Sequence, residues 1–392
     1  MVKIVGDNMD TQIKESMIIV GDLVPINEDE KNFISGSIES NIDEEIMEFF
    51  KMSKYRICNL EAPLTKEDKY ISKCGPNLKI NPECIVGLKK LKIDMVTLAN
   101  NHILDYGEKG LKDTIELLDR NRIAYCGAGK DLLESEKPLF FIIGGKKVGI
   151  FCCAESEFSI ATEESAGAYG FDPLYTLDVI LDIKKQCDYL IILHHGGKEF
   201  YRYPSPELVK TCTRMVDKGA NLVICQHSHC IGCEMDYKSA KIIYGQGNFL
   251  FNRKHDEFWD SGLIVKVSFN DNDTVVETVP IINKLGKIQL AKGNVAKKIL
   301  SDYQKRSSQI ENSKFIYKNF VEFAKSKKCE YYKAFLGGNT LGAYVYRALN
   351  RILPFRKNED IFFKAEVKKE IYNYILCEAH REVLLAILND EE

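Results

Sequence analysis

The sequence predicts an α/β fold followed by a helical C-terminal extension. Between residue 17 and about residue 285, short β-rich runs alternate with amphipathic helical stretches, a pattern typical of an α/β domain with a largely buried sheet. After about residue 290, lysine, aromatic residues and helical spacing dominate, and strand-like runs vanish. We therefore expect one large α/β domain over residues 1–288 and a helical extension over residues 289–392.

The β-rich runs are short and apolar, and helical patterns separate them, as expected for buried strands. The predicted strands cover residues 17–21, 56–60, 95–99, 147–153, 189–193, 222–225 and 241–244. Amphipathic helices are predicted between them, for example over residues 107–120 and 206–218. Two further runs, 262–269 and 274–282, surround the turn-forming residues 270–273, which indicates a β-hairpin.

The helical extension ends in an amphipathic stretch whose apolar residues recur at four-residue steps. Those residues are Val367, Ile371, Ile375, Ala379, Val383 and Ile387. Such a stripe predicts a helix that buries one face. Residues 336–339 and Leu353-Pro354 predict breaks between the preceding helices. The extension is expected to be a lid, a brace against the larger domain, or a contact with a partner.

Composition narrows the classes of function. The 392 residues are 45% hydrophobic and 28% charged, with a formal net charge of −3, so no charge excess argues for nucleic-acid binding. No apolar run is long enough to cross a bilayer, and no signal-peptide pattern is present. The thirteen cysteines, an odd number, fall mostly within apolar runs, where a thiol behaves as a small hydrophobe. We expect a cytoplasmic protein with reduced, mostly buried cysteines.

Polar residues follow five of the predicted strands at the point where each strand ends. They are Asp22, Asn59, Glu61, Asn100, Asn101, His102, His194, His195, His227 and His229. Because ligands bind at the carboxyl edge of open α/β sheets, these side chains are expected to share one site. Five of the seven histidines in the chain are among them. Imidazoles, carboxylates and amide oxygens together suit divalent metal ions, so the pattern predicts a metal site.

Several motifs, spaced along the chain in a fixed order, carry a family resemblance. They are Gly21-Asp22, NLEAPLT at 59–65, LANNHILDYG at 98–107, GAG at 127–129, HHGGKE at 194–199, Gly219-Ala220, HSH at 227–229 and GQGNF at 245–249. Over roughly residues 16–255, the chain resembles the CapA/PgsA family of the calcineurin-like metallophosphoesterases, which is associated with capsule and poly-γ-glutamate synthesis. The resemblance implies a sandwich of two β-sheets flanked by helices, with two divalent ions (manganese, iron or zinc).

The resemblance also implies two sets of metal ligands that share one carboxylate. The first set is Asp22, Glu61 and His229, and the second is Glu61, Asn101, His194 and His227. The strand run leads directly into His194, which favours His194 over its neighbour as the ligand. His195 stands where the family usually has tryptophan, and is left as an alternative ligand, a substrate contact or a packed residue.

The remaining candidate residues would serve the substrate or the ligands. His102 would act as general acid toward the leaving oxygen, with Asp105 fixing the tautomer of its ring. Contacts with the substrate or with the metal ligands are expected from Asn59, Asn100, Glu199 and Asn248.

The favoured function is hydrolysis of a phosphoester by metal-bound hydroxide, on a phosphorylated small molecule or an intermediate of surface-polymer synthesis. Two alternatives stay open. The protein could be a non-catalytic assembly component of a polymer-synthesis complex, in which the C-terminal helices bind a synthase or a second copy. It could also hydrolyse an amide bond of a γ-glutamyl polymer, since the same activated water can attack a carbonyl.

Overall fold

The computed structural model of the protein describes residues 14–251, 257–270, 273–284, 286–338, 340–352 and 362–389. His255, residues 271 and 272 of the predicted hairpin turn, and the predicted break at Leu353-Pro354 lie outside the described residues.

The strands of the described chain follow one another in the order used throughout. They are β1 (Lys14–Leu23), β2 (Ser53–Leu60), β3 (Met95–Thr97), β4 (Ala124–Cys126), β5 (Ala128–Gly129), β6 (Leu139–Ile143), β7 (Lys146–Ala154), β8 (Gly167–Ala168), β9 (Tyr189–His195), β10 (Leu222–Gln226), β11 (Ile231–Tyr237), β12 (Ala240–Gln246), β13 (Asn248–Leu250), β14 (Ser261–Phe269), β15 (Thr274–Lys284) and β16 (Lys287–Leu290).

The helices lie between and after these strands. They are α1 (Glu28–Ser35), α2 (Glu44–Lys51), α3 (Ile85–Lys90), α4 (Gly107–Asn121), α5 (Leu132–Ser135), α6 (Thr176–Lys184), α7 (Pro206–Asp217), α8 (Gly293–Ile310), α9 (Ser313–Phe335), α10 (Leu341–Ile352), α11 (Ala365–Leu376) and α12 (Glu378–Asn389).

Two mixed β-sheets form the centre of the fold. The first has the strand order β16-β15-β14-β1-β2-β3-β4, with β13 also paired to β1, and the second has the order β11-β12-β10-β9-β7-β6. Strands β1 to β4 run parallel to one another, as do β7, β9, β10 and β12. The parallel strands of each sheet therefore end at a common edge, where the polar strand ends of the sequence are expected to meet.

The two sheets pack face to face because their strands are apolar on both sides. Met17 and Ile19 of β1 join a buried cluster with Ile191 of β9 between the sheets. The alternate residues Ile18 and Val20 point the other way, into a second cluster shared with helices α1 to α4. Helices α6 and α7 cover the outer face of the second sheet in the same manner. The structure thus confirms the predicted α/β sandwich of two sheets flanked by helices.

Most of the predicted elements are present with small differences at their ends. The hairpin of β14 and β15 is antiparallel, with Phe269 paired to Thr274. Most of the cysteines are buried, as expected. Two buried cysteines, Cys230 and Cys233, form a C-x-x-C sequence that directly follows His229.

The C-terminal stripe is a correction to the sequence-based expectation. The predicted single helix is divided into α11 and α12 at Cys377, whose backbone is extended (ψ 119°). In the single chain, Val367, Ile375, Val383 and Ile387 are exposed, so burial of these residues against a partner stays a prediction. An extended residue between two helices redirects the chain, so the four-residue spacing does not produce one continuous stripe.

The chain divides into two compact units, Met1–Tyr317 and Lys318–Glu392. Helix α8 belongs to the first unit, where Tyr303 is buried with Ile231 and Leu263. The domain organisation inferred from the sequence, 1–288 and 289–392, stays a prediction. Across the described residues, none of the helices combines the length and apolar character that a bilayer-spanning segment needs.

Candidate metal centre

The candidate centre lies at the edge of the sandwich where β2 and β9 end. Glu61 follows β2 and continues the face of Ile57, which points toward the space between the sheets. His195 ends β9 and continues the face of Ile191 and Leu193, which point into the same space from the opposite sheet. Strand alternation therefore brings a carboxylate and an imidazole together from two different sheets.

Two groups of potential metal ligands meet at this edge, and both contain Glu61. One group is Glu61, His195 and His227, the other is Asp22, Glu61 and His229, and within each group the ligand atoms lie within 4.8 Å of one another. The Oε1 atom of Glu61 is 3.4 Å from His195 Nε2 and 3.9 Å from His229 Nε2. A carboxylate with two oxygens can serve two cations at once, so the arrangement is compatible with a shared ligand.

The buried oxygens of Glu61 lack hydrogen-bond partners, which suits a divalent cation. Glu61 is fully buried, yet neither of its oxygens accepts a hydrogen bond from the residues that the structure describes. Burying a carboxylate in this way is costly unless a cation or a donor compensates. Imidazole nitrogens and carboxylate oxygens are also the ligand types that zinc, iron and manganese accept. The cluster is therefore compatible with a metal site.

Burial shifts the pKa values of three groups in the centre, Glu61, His195 and His227. Burial, together with the charges of Asp22 and Glu199, raises the pKa of Glu61 well above its usual value. Burial and the charge of His229 lower the pKa of His227 to about 3. Burial and the charge of His227 likewise lower the pKa of His195 well below 6.5. The rings of His195 and His227 are therefore in the neutral form that binds metal, whereas Glu61 must lose a proton first.

The structure places His195, and not His194, in the cluster of potential ligands around Glu61. His194 continues the face of Leu190 and Ile192, which is covered by α6 and α7. Its Nδ1 atom lies 3.3 Å from Cys153 Sγ, and its ring packs edge-on against Phe171 at 5.9 Å. Successive residues of a strand point to opposite faces, so His194 and His195 cannot both reach Glu61, and His195 is the one that does.

Each ring nitrogen of His195 contacts an asparagine side chain, Asn101 at Nε2 and Asn59 at Nδ1. Asn101 Oδ1 lies 3.1 Å from His195 Nε2, which places an amide oxygen beside the predicted second ligand set. Asn59 Nδ2 lies 3.2 Å from His195 Nδ1 and donates to Asp22 Oδ1 at 2.8 Å. Asn59 thus links a ligand of one group to a ligand of the other.

His102 and Asp105 form the imidazole–carboxylate pair expected from the sequence. His102 Nδ1 lies 2.6 Å from Asp105 Oδ2, and the same oxygen accepts the backbone N–H of Leu78 at 2.6 Å. Both residues are buried, Asp105 completely. Because Nδ1 faces the carboxylate, Nε2 is the ring atom left to exchange a proton with another molecule.

Three other predicted residues are found at or near the centre. Asn100 Oδ1 accepts the backbone N–H of His102 at 3.2 Å, so it holds the turn that carries this histidine. Asn248 Oδ1 lies 2.9 Å from His229 Nδ1. Glu199 is exposed and acts on Glu61 through its charge.

Two residues of the centre carry no signal in the sequence. The side chain of Lys73 is 2% exposed and its ammonium pairs with Asp105. Lys73 lies in a stretch without helix or strand, so no periodicity marks it as buried. Trp259, the single tryptophan of the chain, stacks on the ring of His229 at 4.6 Å and 21°. Its position downstream of all the motifs gives no hint of this contact.

The backbone is strained at His227 and His229. His227 and His229 adopt positive φ angles of 77° and 53°, a left-handed conformation that costs non-glycine residues about 1–2 kcal/mol each. Ser228 lies between them, so both imidazoles are turned toward the centre over three residues. Such strain is concentrated at functional sites, where the surrounding structure maintains it.

Comparisons with known proteins assign the chain to a family and identify relatives. The family described as "Bacterial capsule synthesis protein PGA_cap" matches residues 16–253. The capsule biosynthesis protein CapA of Bacillus anthracis is 30% identical over 278 residues, which are 68% of this chain and 67% of that protein. The PGA biosynthesis protein CapA of Bacillus subtilis is 27% identical over 219 residues, which are 55% of this chain and 58% of that protein. The alignments cover 67% of the first relative and 58% of the second, so a substantial part of each lies outside them.

Among solved structures, the chain is similar to a phosphatase from Mycoplasma pneumoniae, with 14% identity and a TM-score of 0.44 over 68% of this chain and 93% of that one. The family match, in contrast, spans more than half of the chain and includes every residue of the two ligand groups. On that ground, the chain belongs to the bacterial capsule synthesis protein family PGA_cap.

Proposed function

We propose that the protein is a phosphoesterase that depends on two divalent metal ions. The observation that carries the proposal is the sharing of Glu61 by two ligand groups. The His102–Asp105 pair lies nearby, close enough for the charge of His102 to act on His195 and His227. A ligand set and a proton donor side by side are the parts that phosphoester hydrolysis requires.

The residues divide between the two ions as follows. Asp22, Glu61 and His229 would hold the first ion. Glu61 would also reach the second ion, with His195, His227 and Asn101 completing its ligands. A pair of divalent cations supplies activation of water and neutralises the charge that develops on phosphate oxygens. Asn59 contacts Asp22 and His195, and would keep ligands of both ions in place.

His102 is proposed as the general acid. Asp105 fixes its Nδ1 atom, so the proton on Nε2 can pass to the oxygen of the departing group. The bond from phosphorus to that oxygen breaks as the bond to the attacking water oxygen forms, and the departing oxygen leaves protonated. Such general-acid assistance contributes about 100- to 10,000-fold to a rate.

The substrate class is proposed as an intermediate of capsule or other surface-polymer synthesis. Its support is the family of the chain and the names of two relatives, which refer to capsule and PGA biosynthesis. We also propose that the reaction takes place in the cytoplasm, where the free thiols of the chain would stay reduced.

The proposal is tested by metal content and hydrolysis in one experiment. Protein loaded with manganese or zinc is assayed on p-nitrophenyl phosphate, bis(p-nitrophenyl) phosphate and a γ-glutamyl peptide, beside Glu61→Gln and the control His380→Ala. His380 is an exposed histidine of α12. The wild type and His380→Ala are expected to bind about two ions per chain and to hydrolyse an ester. Glu61→Gln is expected to lose both the metal and the activity. Cleavage of the peptide alone would indicate an amide hydrolase, and two bound ions without any cleavage would indicate an assembly role.

A further inference from the structure

We infer that Lys73 is a positioning residue for His102, acting through Asp105. The inference rests on the proposed function, because it assigns Lys73 to the same proton transfer. It adds a third member to the His102–Asp105 pair, contributed by a segment that contains no metal ligand and no helix or strand.

The burial of Lys73 is the first observation. Its side chain is only 2% exposed, and its ammonium group pairs with Asp105 Oδ1, which is fully buried. The same nitrogen lies 3.2 Å from His102 Nδ1 and 5.8 Å from the centre of the Phe158 ring. A buried ammonium is retained in a fold only where a counter-charge compensates its lost hydration, and here that charge is Asp105.

The second observation is that Asp105 is held on both of its oxygens. Oδ2 accepts the backbone N–H of Leu78 and contacts His102 Nδ1, each at 2.6 Å. Oδ1 is left for Lys73. The two contacts on Oδ2 and the ion pair on Oδ1 together restrict rotation of the carboxylate, and so restrict the direction in which it holds the imidazole.

The third observation is that the segment bearing Lys73 is itself tied to Asp105. The backbone N–H of Ile71 donates to the Asp105 carbonyl at 3.0 Å, and Asn77 Nδ2 donates to the Ile71 carbonyl at 3.2 Å. Leu78, at the far end of the segment, donates to the Asp105 side chain. Lys73 is therefore placed by contacts on either side of it, which make it part of the framework of His102.

A positioning role differs in a measurable way from a direct contact with substrate. A cation that binds the phosphate acts on all esters alike and shows in KM. A residue that aligns the general acid matters most when the departing oxygen is a poor leaving group, because such a group needs the proton. Removing such a positioning residue also has no further effect in a His102→Ala background, because the residue acts only through His102.

The experiment compares Lys73→Met, Lys73→Arg and the exposed control Lys66→Met, whose lysine pairs with Glu83 on the surface. For phenyl phosphate, Lys73→Met is expected to lower kcat by about 10- to 100-fold with KM within about twofold. The loss should be smaller for p-nitrophenyl phosphate and absent in a His102→Ala background, and Lys73→Arg should restore part of it. Equal losses for both esters, a rise in KM alone, or additive losses with His102→Ala would overturn the inference.

A second readout does not depend on activity. In zinc-loaded protein with 15N-labelled histidine, the Nδ1–H proton of His102 should give a downfield resonance, because it is bonded to a buried carboxylate. Lys73→Met should shift or broaden this resonance while the bound metal stays at about two ions per chain. If the wild type hydrolyses neither ester, the proposed function fails, and the resonance still decides the role of Lys73. An unchanged resonance in folded Lys73→Met protein would refute it.

Discussion

The ring nitrogens of two histidines face each other at the buried edge of the sandwich: His227 Nδ1 lies 3.0 Å from His195 Nε2. Burial lowers the pKa of both rings, so each is neutral at neutral pH and keeps one lone pair for a metal ion. The two rings come from β9 and from the turn after β10, which are neighbours in the second sheet. The parallel pairing of β9 and β10 therefore brings His195 and His227 together.

His195→Ala is expected to remove about one of two bound metal ions, because His195 Nε2 lies 3.4 Å from Glu61 Oε1. His194→Ala is a matched control, since it deletes the same side chain from the other face of β9. It should retain both ions. Elemental analysis of the two purified variants makes the comparison, and loss of metal in the His194 variant alone would restore the assignment made from the sequence.

Metal affinity should rise with pH because Glu61 must give up its proton. The pKa of Glu61 is raised above 4.5, so the acid is protonated in the metal-free protein between pH 4.5 and that raised value, and binding displaces the proton. His227, with its pKa lowered to about 3, is already neutral over this range and adds no proton. Calorimetry in two buffers of different ionisation enthalpy should detect proton release on metal binding.

The matched variant for this measurement is Glu61→Gln, which has no acid to titrate at this position. It should bind metal weakly and release no proton at any pH of the series. Binding by the wild type without proton release just above pH 4.5 would contradict the raised pKa of Glu61.

His102→Ala should lower kcat by about 100-fold or more on phenyl phosphate, as expected for the loss of a general acid. Its metal content should remain that of the wild type, because His102 belongs to neither ligand group. Asp105→Asn should give a smaller loss, since it keeps the shape of the side chain and removes the charge that Lys73 and His102 share. A His102 variant with full activity would exclude this residue from the reaction.

Gly21→Ala should destabilise the fold by about 3 kcal/mol. A Cβ at position 21 would lie 1.9 Å from the Gly247 carbonyl oxygen, so the parallel pair of β1 and β13 could not keep its spacing. Gly342→Ala, in α10, is the control, because its Cβ would lie 3.8 Å from the hydroxyl of Thr340, and alanine favours a helix. Thermal unfolding followed by circular dichroism compares the two, and an unchanged midpoint for Gly21→Ala would contradict the close approach.

The position of the site follows from sequence because strand ends can be recognised one at a time. Glu61 follows an apolar run and His227 follows another, and parallel pairing then brings such ends to one edge. The face of each strand is harder to predict. The run before His194 is apolar at every position, because both faces of β9 are buried, and a strand buried on both sides shows no alternation.

Two other features have no local signal for a different reason. Lys73 is buried by contacts with Asp105, which is distant in sequence, and lysine in an irregular segment is ordinarily exposed. The break at Cys377 occurs without glycine or proline, inside a regular four-residue spacing. Both are decided by tertiary structure and by backbone conformation, which residue patterns do not encode.

The left-handed backbone of His227 and His229 is retained although glycine would carry less strain there. Glycine accepts positive φ freely and would relieve about 1–2 kcal/mol at each position. It would also delete a buried ring, and the ring of His229 stacks on Trp259, whereas large-to-small changes in a core cost about 2–5 kcal/mol. Packing therefore outweighs strain at position 229, so laboratory evolution toward heat tolerance should keep this histidine even when no metal is supplied.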